Sequence, residues 1–223
     1  MSGNPPLPSL VSPPLAEIDR VSSLCLHPPP GRFAGLFGPG AHRLALRALA
    51  RPLLSGEPAV VVDGGNRFDP YEIAREERAL GGSGQAGLSR LLVSRAFTCH
   101  QMEALLARRL APALAGSGAR FAVILGLPER FADADVPYAE ACRVFRGCLS
   151  ALRRIARGDA RVILAGREEG DRPGFCRHLV RAADPCLLLR REGEGWKATL
   201  RRGAERAGRA FAAAGSLPRN GRR

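Results

Sequence analysis

Gly35-Leu36-Phe37-Gly38-Pro39-Gly40-Ala41-His42 ends an apolar run that starts at Arg32 and opens a leucine-rich segment, Ala41 to Leu54, whose Leu44, Leu46, Leu49 and Leu53 share one side of a helix. A strand, a glycine turn and a helix in that order are the first unit of an α/β fold. The glycines reproduce the skeleton of the pattern G-x-x-x-x-G-K-[ST], in which backbone N–H groups close around phosphate, a lysine reaches the outer phosphates and a hydroxyl holds magnesium. Ala41 stands at the lysine position and His42 at the hydroxyl position. The only lysine of the 223 residues is Lys197, in a different predicted element.

The unit repeats. Ala59 to Val62, Leu91 to Ser94, Phe121 to Leu125 and Arg161 to Ala165 are apolar runs of strand length, alternating with helical patterns over Asp69 to Leu80, His100 to Leu114 and Tyr138 to Arg157. Cys186 to Arg190 and Trp196 to Leu200 bracket a Glu/Gly-rich turn and read as an antiparallel hairpin. The expected fold class is α/β, a mostly parallel sheet flanked by helices with a C-terminal antiparallel hairpin. Residues 1–14, with five prolines among small residues, read as a disordered leader, a short helix is expected over Leu15 to Leu24, the domain runs over 15–203, and 204–223 reads as a basic flexible tail.

The net charge of +13 is carried by arginine except for Lys197. That charge suits an acidic partner such as nucleic acid, and it is also what a GC-rich coding sequence yields without selection for binding. Cys25, Cys99, Cys142, Cys148, Cys176 and Cys186 form no C-x-x-C pair, and Cys25-x-His27 and Cys176-x-His178 match no common zinc spacing, so thiols in a reducing cytoplasm and no metal are expected. No apolar run reaches the ~20 residues of a membrane span, so no membrane association is expected.

The order of elements and several strings resemble the RecA/RadA recombinase superfamily of P-loop ATPases, from about Leu15 to Arg202. Phe33 to His42 corresponds to the strand and phosphate loop, Val62-Asp63-Gly64-Gly65-Asn66-Arg67-Phe68 to a string like I-D-x-E-G-x-F, and Arg95-Ala96-Phe97-Thr98-Cys99-His100-Gln101 to R-A-x-x-x-x-H-Q. The resemblance implies a RecA-like P-loop fold and an ATP site with degenerate phosphate-loop and magnesium-binding motifs. Where the family has a water-activating glutamate this chain has Gly65; where it has a magnesium-ordering aspartate, Gly126; where it has a phosphate sensor, a position at or beside Gly166. Phosphoryl transfer is positioning plus charge compensation, so these losses together argue against hydrolysis.

For Gly35, Gly38, Gly40, Ala41 and His42 two readings stand: residual ATP binding through backbone N–H groups at a helix N-terminus, or a turn kept for packing. Pro39 removes one donor, and no cofactor is assigned. Asp63 reads as a metal ligand or a turn former. The segments after the fourth and fifth strands, where the resemblance places DNA-binding loops, are acidic or balanced, with Phe131 and Phe175 as candidate base-stacking rings. Cations gather on the long helix as Arg143, Arg146, Arg153, Arg154 and Arg157, and in the tail, where Arg201, Arg202, Arg206 and Arg209 are the nucleic-acid candidates. Phe211-Ala212-Ala213-Ala214 has the F-x-x-A form of recombinase-binding segments, making Phe211 and Ala214 partner-binding candidates. The expected function is a non-catalytic RecA-like accessory protein of DNA repair or recombination that docks on a recombinase or a repair polymerase subunit, as a hetero- or homo-oligomer, with weak DNA contact through the tail. Alternatives are an ATPase whose atypical site a partner subunit completes, and a structural or signalling module without DNA binding.

Overall fold

A parallel sheet with every central strand buried on both faces organises the chain. The computed structural model describes residues 27–132, 135–167, 172–192, 195–202 and 209–213. The strands are β1 (Ala34–Phe37), β2 (Ala59–Asp63), β3 (Leu91–Arg95), β4 (Phe121–Leu125), β5 (Arg161–Gly166), β6 (Cys186–Glu192), β7 (Gly195–Arg201) and β8 (Arg209–Ala213). They pair in the order β3-β2-β4-β5-β1-β6-β7-β8, parallel from β3 through β6 and antiparallel for β6/β7 and β7/β8. The expected mostly parallel sheet, its helical cover and the β6/β7 hairpin are present. β8 lies within the segment expected as a tail; the expected helix over Leu15 to Leu24 and the leader lie outside the described residues.

The helices are α1 (Ala41–Ala48), α2 (Ala50–Leu54), α3 (Pro70–Ala79), α4 (Cys99–Ala104), α5 (Leu110–Ser117), α6 (Tyr138–Ala156) and α7 (Pro173–Ala182). One core lies between the sheet and α4 to α7, with Met102, Leu106, Phe131, Val144, Leu152 and Leu179 in it. The other lies between the sheet and α1 to α3, with Ala41, Leu46, Leu49, Leu53 and Ile73. Alternate β4 residues serve the two: Ala122 and Ile124 face the first core, and Phe121, Val123 and Leu125 the second.

Two helices depart from their expected form, each for a proline. The single helix expected over Ala41 to Leu54 is broken at Leu49, whose N–H turns to Leu46 O at 3.0 Å, so that Pro52 falls in the first turn of α2, where a missing N–H costs nothing. Between α4 and α5, Leu105–Arg109 winds as a π turn ahead of Pro112, which has no N–H to offer Arg108. Arg154 of α6 donates to the carbonyl of Ala107 in that turn at 2.8 Å. The segment after β5, where the resemblance places a DNA-binding loop, contains the start of α7, with Pro173 at its first position.

α1 and α3 are joined by one buried carboxylate. Glu72 accepts from Arg47 Nε at 2.8 Å and Arg75 Nη2 at 2.6 Å, and lies 3.5 Å from Arg43 Nε. Burial pushes the Glu72 carboxyl up, but the Arg75 hydrogen bond and the Arg47 charge outweigh it and hold the group below the usual carboxylate range. Arg47 is itself 3% exposed. Glu72→Gln strands that guanidinium and is expected to lower unfolding free energy by about 3–5 kcal/mol in urea titrations. Arg75→Ala removes a partner whose side chain is 43% exposed and is expected to cost less than about 1 kcal/mol.

Candidate functional site

The carboxyl ends of the parallel strands gather the residues singled out above. β1 delivers the chain into Gly38-Pro39-Gly40, and Gly40, left-handed at φ 79°, precedes α1 without a capping side chain. Gly38 has φ 115°, and a Cβ there would lie 2.1 Å from Leu189 O, so only glycine lets the turn pass against β6. The Gly38 N–H donates to Gly166 O at 2.9 Å and the Ala41 N–H to Gly38 O at 3.2 Å. Those two donors, and the one Pro39 lacks, are withdrawn from any ligand. Gly35 sits within β1, registered with Leu164 and Cys186, where a Cβ would meet Ala183 Cβ at 2.6 Å; its place is in sheet packing. Ala41 is buried in the α1 core, at the position where the phosphate-loop pattern has its lysine.

His42 is neutral. Burial, reinforced by the charges of Arg67, Arg43 and Arg167, lowers its pKa to about 4. Arg43, the neighbour of His42 in the chain, is readable there as a source of charge; Arg67 and Arg167 were missed as site residues because they come from other elements, and no sequence spacing brings them to the turn. Arg67 follows β2 and Arg167 follows β5. Glu129, after β4, is the carboxyl facing Arg67 and Arg167: its Oε1 accepts the Arg167 N–H at 3.2 Å. Burial raises its pKa, opposed by its own and Arg167's backbone N–H groups and by the Arg67 and Arg167 charges.

Glycine meets glycine at the strand ends. Gly126, at φ 69°, is so close to the neighbouring turn that a Cβ would lie 2.3 Å from Gly65 N and 2.5 Å from Gly65 Cα. A Cβ on Gly65 would approach Gly126 Cα at 3.2 Å, and one on Gly166 would meet Pro128 Cγ at 2.6 Å. At Gly126 and Gly166 neighbouring atoms occupy the space of a first side-chain atom, and at Gly65 the turn is tight without being closed. Asp63 acts as a turn former: its carboxylate accepts the N–H groups of Gly65, Arg67 and Phe68 at 3.0–3.1 Å. Arg95 Nε stands 3.8 Å from the same carboxylate.

The Arg95–Gln101 string also has local structural work. Gln101 Oε1 accepts the Phe97 N–H at 2.7 Å, Thr98 Oγ1 accepts the Gln101 N–H at 3.1 Å, and Arg130 donates to Phe97 O at 2.9 Å. The Phe97 ring is nonetheless 68% exposed. Phe131 and Phe175, by contrast, are buried with ring centroids 5.3 Å apart; as core residues they present no face to a base.

An open groove of about 470 Å³ runs beside the turn between α7 and β6, walled by Phe37, Pro39, Val180 and Leu188 with Arg167 at its edge. Arg201 ends β7 and donates to Val180 O of α7, tying the hairpin to the helix layer, and Arg202 is exposed beside it. Arg209 and Phe211 lie in β8, with Phe211 registered to Ala198; Arg206 and Ala214 lie outside the described residues. Among the described residues no cluster of three or more His, Cys, Asp or Glu forms a metal-binding group, no disulfide is present, and no helix is long and apolar enough to cross a membrane. Burial pushes the Cys186 thiol up to about 11 and raises that of Cys148, so both stay protonated near neutral pH.

Gly126→Ala combines a left-handed backbone with overpacking and is expected to cost about 2–5 kcal/mol in urea unfolding. Gly116→Ala, in α5 with nothing within 4 Å, is expected to stabilise by about 0.5–1 kcal/mol. His42 titrates in a defined window. Between its ordinary 6.5 and its native value of about 4, the unfolded chain takes up a proton that the folded chain declines, so stability falls as pH drops through that interval. The loss is up to about 3 kcal/mol, and His42→Gln is expected to reduce the difference between denaturation midpoints at pH 7.5 and pH 5. No protein-family model matches the chain, and no curated protein matches it.

Proposed function

We propose that the chain is a non-catalytic, RecA-like accessory protein of DNA repair or recombination, working in the cytoplasm by docking on a protein partner such as a recombinase or a repair polymerase subunit, with weak DNA contact. The observation that carries this reading is the contact of Gly126 with Gly65. It crowds the carboxyl ends of β2 and β4, the two places where the resembled family has acids, and leaves no room for a side chain at position 126. The parallel sheet, the glycine turn between β1 and α1, and the terminal hairpin fit the resemblance in order and direction. The rim of the sheet favours docking: among the described residues β3 pairs on one side only, with Leu92 at 46% and Val93 at 40% exposure, and Phe97, whose backbone Gln101 and Arg130 hold, follows it.

Arg67 and Arg167, whose charges both act on His42, favour a second reading in which the turn holds a nucleotide anion and a partner subunit completes an ATPase. Purified protein with magnesium and ATP tests the form of this second reading in which copies of the chain suffice; a site completed by a different protein is tested by repeating the assay with whatever partner the pull-down below recovers. No turnover is expected, with or without DNA, and Gly65→Glu is expected to restore none. Turnover abolished by Gly40→Asp, and unaffected by Gly116→Ala, would establish the second reading instead. A pull-down from the source cell is expected to recover a replication or repair protein in amounts reduced by Phe97→Ala; recovery of metabolic enzymes alone would count against docking.

A further inference from the structure

The two helix layers differ in how their charges are matched. On the α1–α3 side Arg43, Arg47 and Arg75 converge on Glu72, and Glu57, Glu76 and Glu77 lie in the same layer as Arg51 and Arg78. On the α4–α7 side cations dominate. α6 buries Val144, Phe145, Cys148, Leu152 and Ile155, which turns Arg143, Arg146, Arg153 and Arg157 outward. Exposed Arg108 and Arg109 on the π turn flank this row, and exposed Arg181 on α7 lies beyond it. Glu140, the acid nearest the start of the row, pairs with His100 at 3.3 Å and with Arg143 of the row itself at 3.9 Å, so the charge of the row rests chiefly on Arg146, Arg153 and Arg157. Glu103 lies against Gly147 and Asp159 follows the end of α6.

We propose that the outer face of α6, with the adjoining π turn and α7, binds the phosphate backbone of duplex nucleic acid. Arg143, Arg146, Arg153 and Arg157 fall at i, i+3, i+10 and i+14, one line along the helix, with exposed Ser150 filling the gap. At 1.5 Å per residue the line is about 21 Å long, the length over which one DNA strand presents roughly six phosphates. The helix beneath the row is held in place: α6 is packed into the first core, and Arg154 ties it to the π turn. Exposed cations spaced along one packed helix suit an electrostatic contact that follows a duplex backbone without reading bases.

The chemistry of the face favours nucleic acid over the other polyanions. Among the described residues the large exposed apolar side chains are Leu54, Tyr71, Leu92, Val93, Phe97 and Tyr138, and of these only Tyr138, at the start of α6, borders the row. A bilayer-inserting face or a stable protein interface would bring an apolar centre. The scarcity of exposed rings likewise favours paired strands over stacked single-stranded bases. The site lies apart from the turn after β1, and its loss would leave partner docking intact, so this inference and the accessory role fail separately.

The test is fluorescence anisotropy of the full chain with a labelled 24-base-pair duplex across a salt series, after circular dichroism has shown that each variant is folded. The expected result is salt-sensitive binding that Arg146→Glu/Arg153→Glu weakens more than fivefold relative to Arg51→Glu/Arg78→Glu, charge reversals on the opposite layer, with a shallower salt slope. A smaller difference overturns the proposal, as does binding lost only in Arg206→Glu/Arg209→Glu. Binding to phosphatidylserine vesicles with none to the duplex also overturns it. A single-strand affinity exceeding that for the duplex overturns the assignment to paired strands.

Discussion

β1 is the strand through which the two parts of the sheet communicate, and its close seating is the constraint on which the remainder depends. On one side it continues the parallel set β3-β2-β4-β5; on the other it carries β6 and the hairpin beyond. Two glycines allow this. At Gly35 a side chain would collide with Ala183, and at Gly38 with the carbonyl of Leu189. With those approaches closed, the chain leaves β1 at the angle that sets α1 on the second core and brings Glu72 within reach of Arg47. The sheet's continuity, the turn and the buried ion cluster are consequences of one steric allowance.

The α/β class was legible because its signals are local and redundant. A run such as Ala59 to Val62 is apolar at every position, which a strand covered on both faces requires, and all five residues of β2 are buried. The helix break at Leu49 was in principle readable from Pro52, since a proline four residues after Ala48 cannot continue its hydrogen-bond ladder. α7 was obscured by the charged residues ahead of Pro173, which resemble a loop until the buried Phe175, Cys176 and Leu179 are seen to share a face. At the site, the absent lysine and carboxylates are visible as residue types. That Gly65 and Gly126 touch is not, because their contact depends on β2 and β4 being neighbours in register.

The same spatial dependence explains the cations. Arg67, Arg167 and Glu129 follow three different strands, and only the parallel order of those strands makes their charges act on one another. The α6 arginines are the opposite case. Their spacing along one helix is written in the sequence, whereas the engagement of the nearby Glu140 by His100 comes from packing between α4 and α6. A charge row becomes informative once its neighbours are known, because a solvated face and a binding face have the same periodicity.

The glycine contact between the ends of β2 and β4 also limits how this corner of the molecule can be altered. A side chain added at position 126 begins with a collision against the backbone of Gly65, whereas one added at position 65 needs only that Arg67 swing aside and the turn after β4 yield by a few tenths of an ångström. New chemistry at this corner would therefore have to enter from the β2 side.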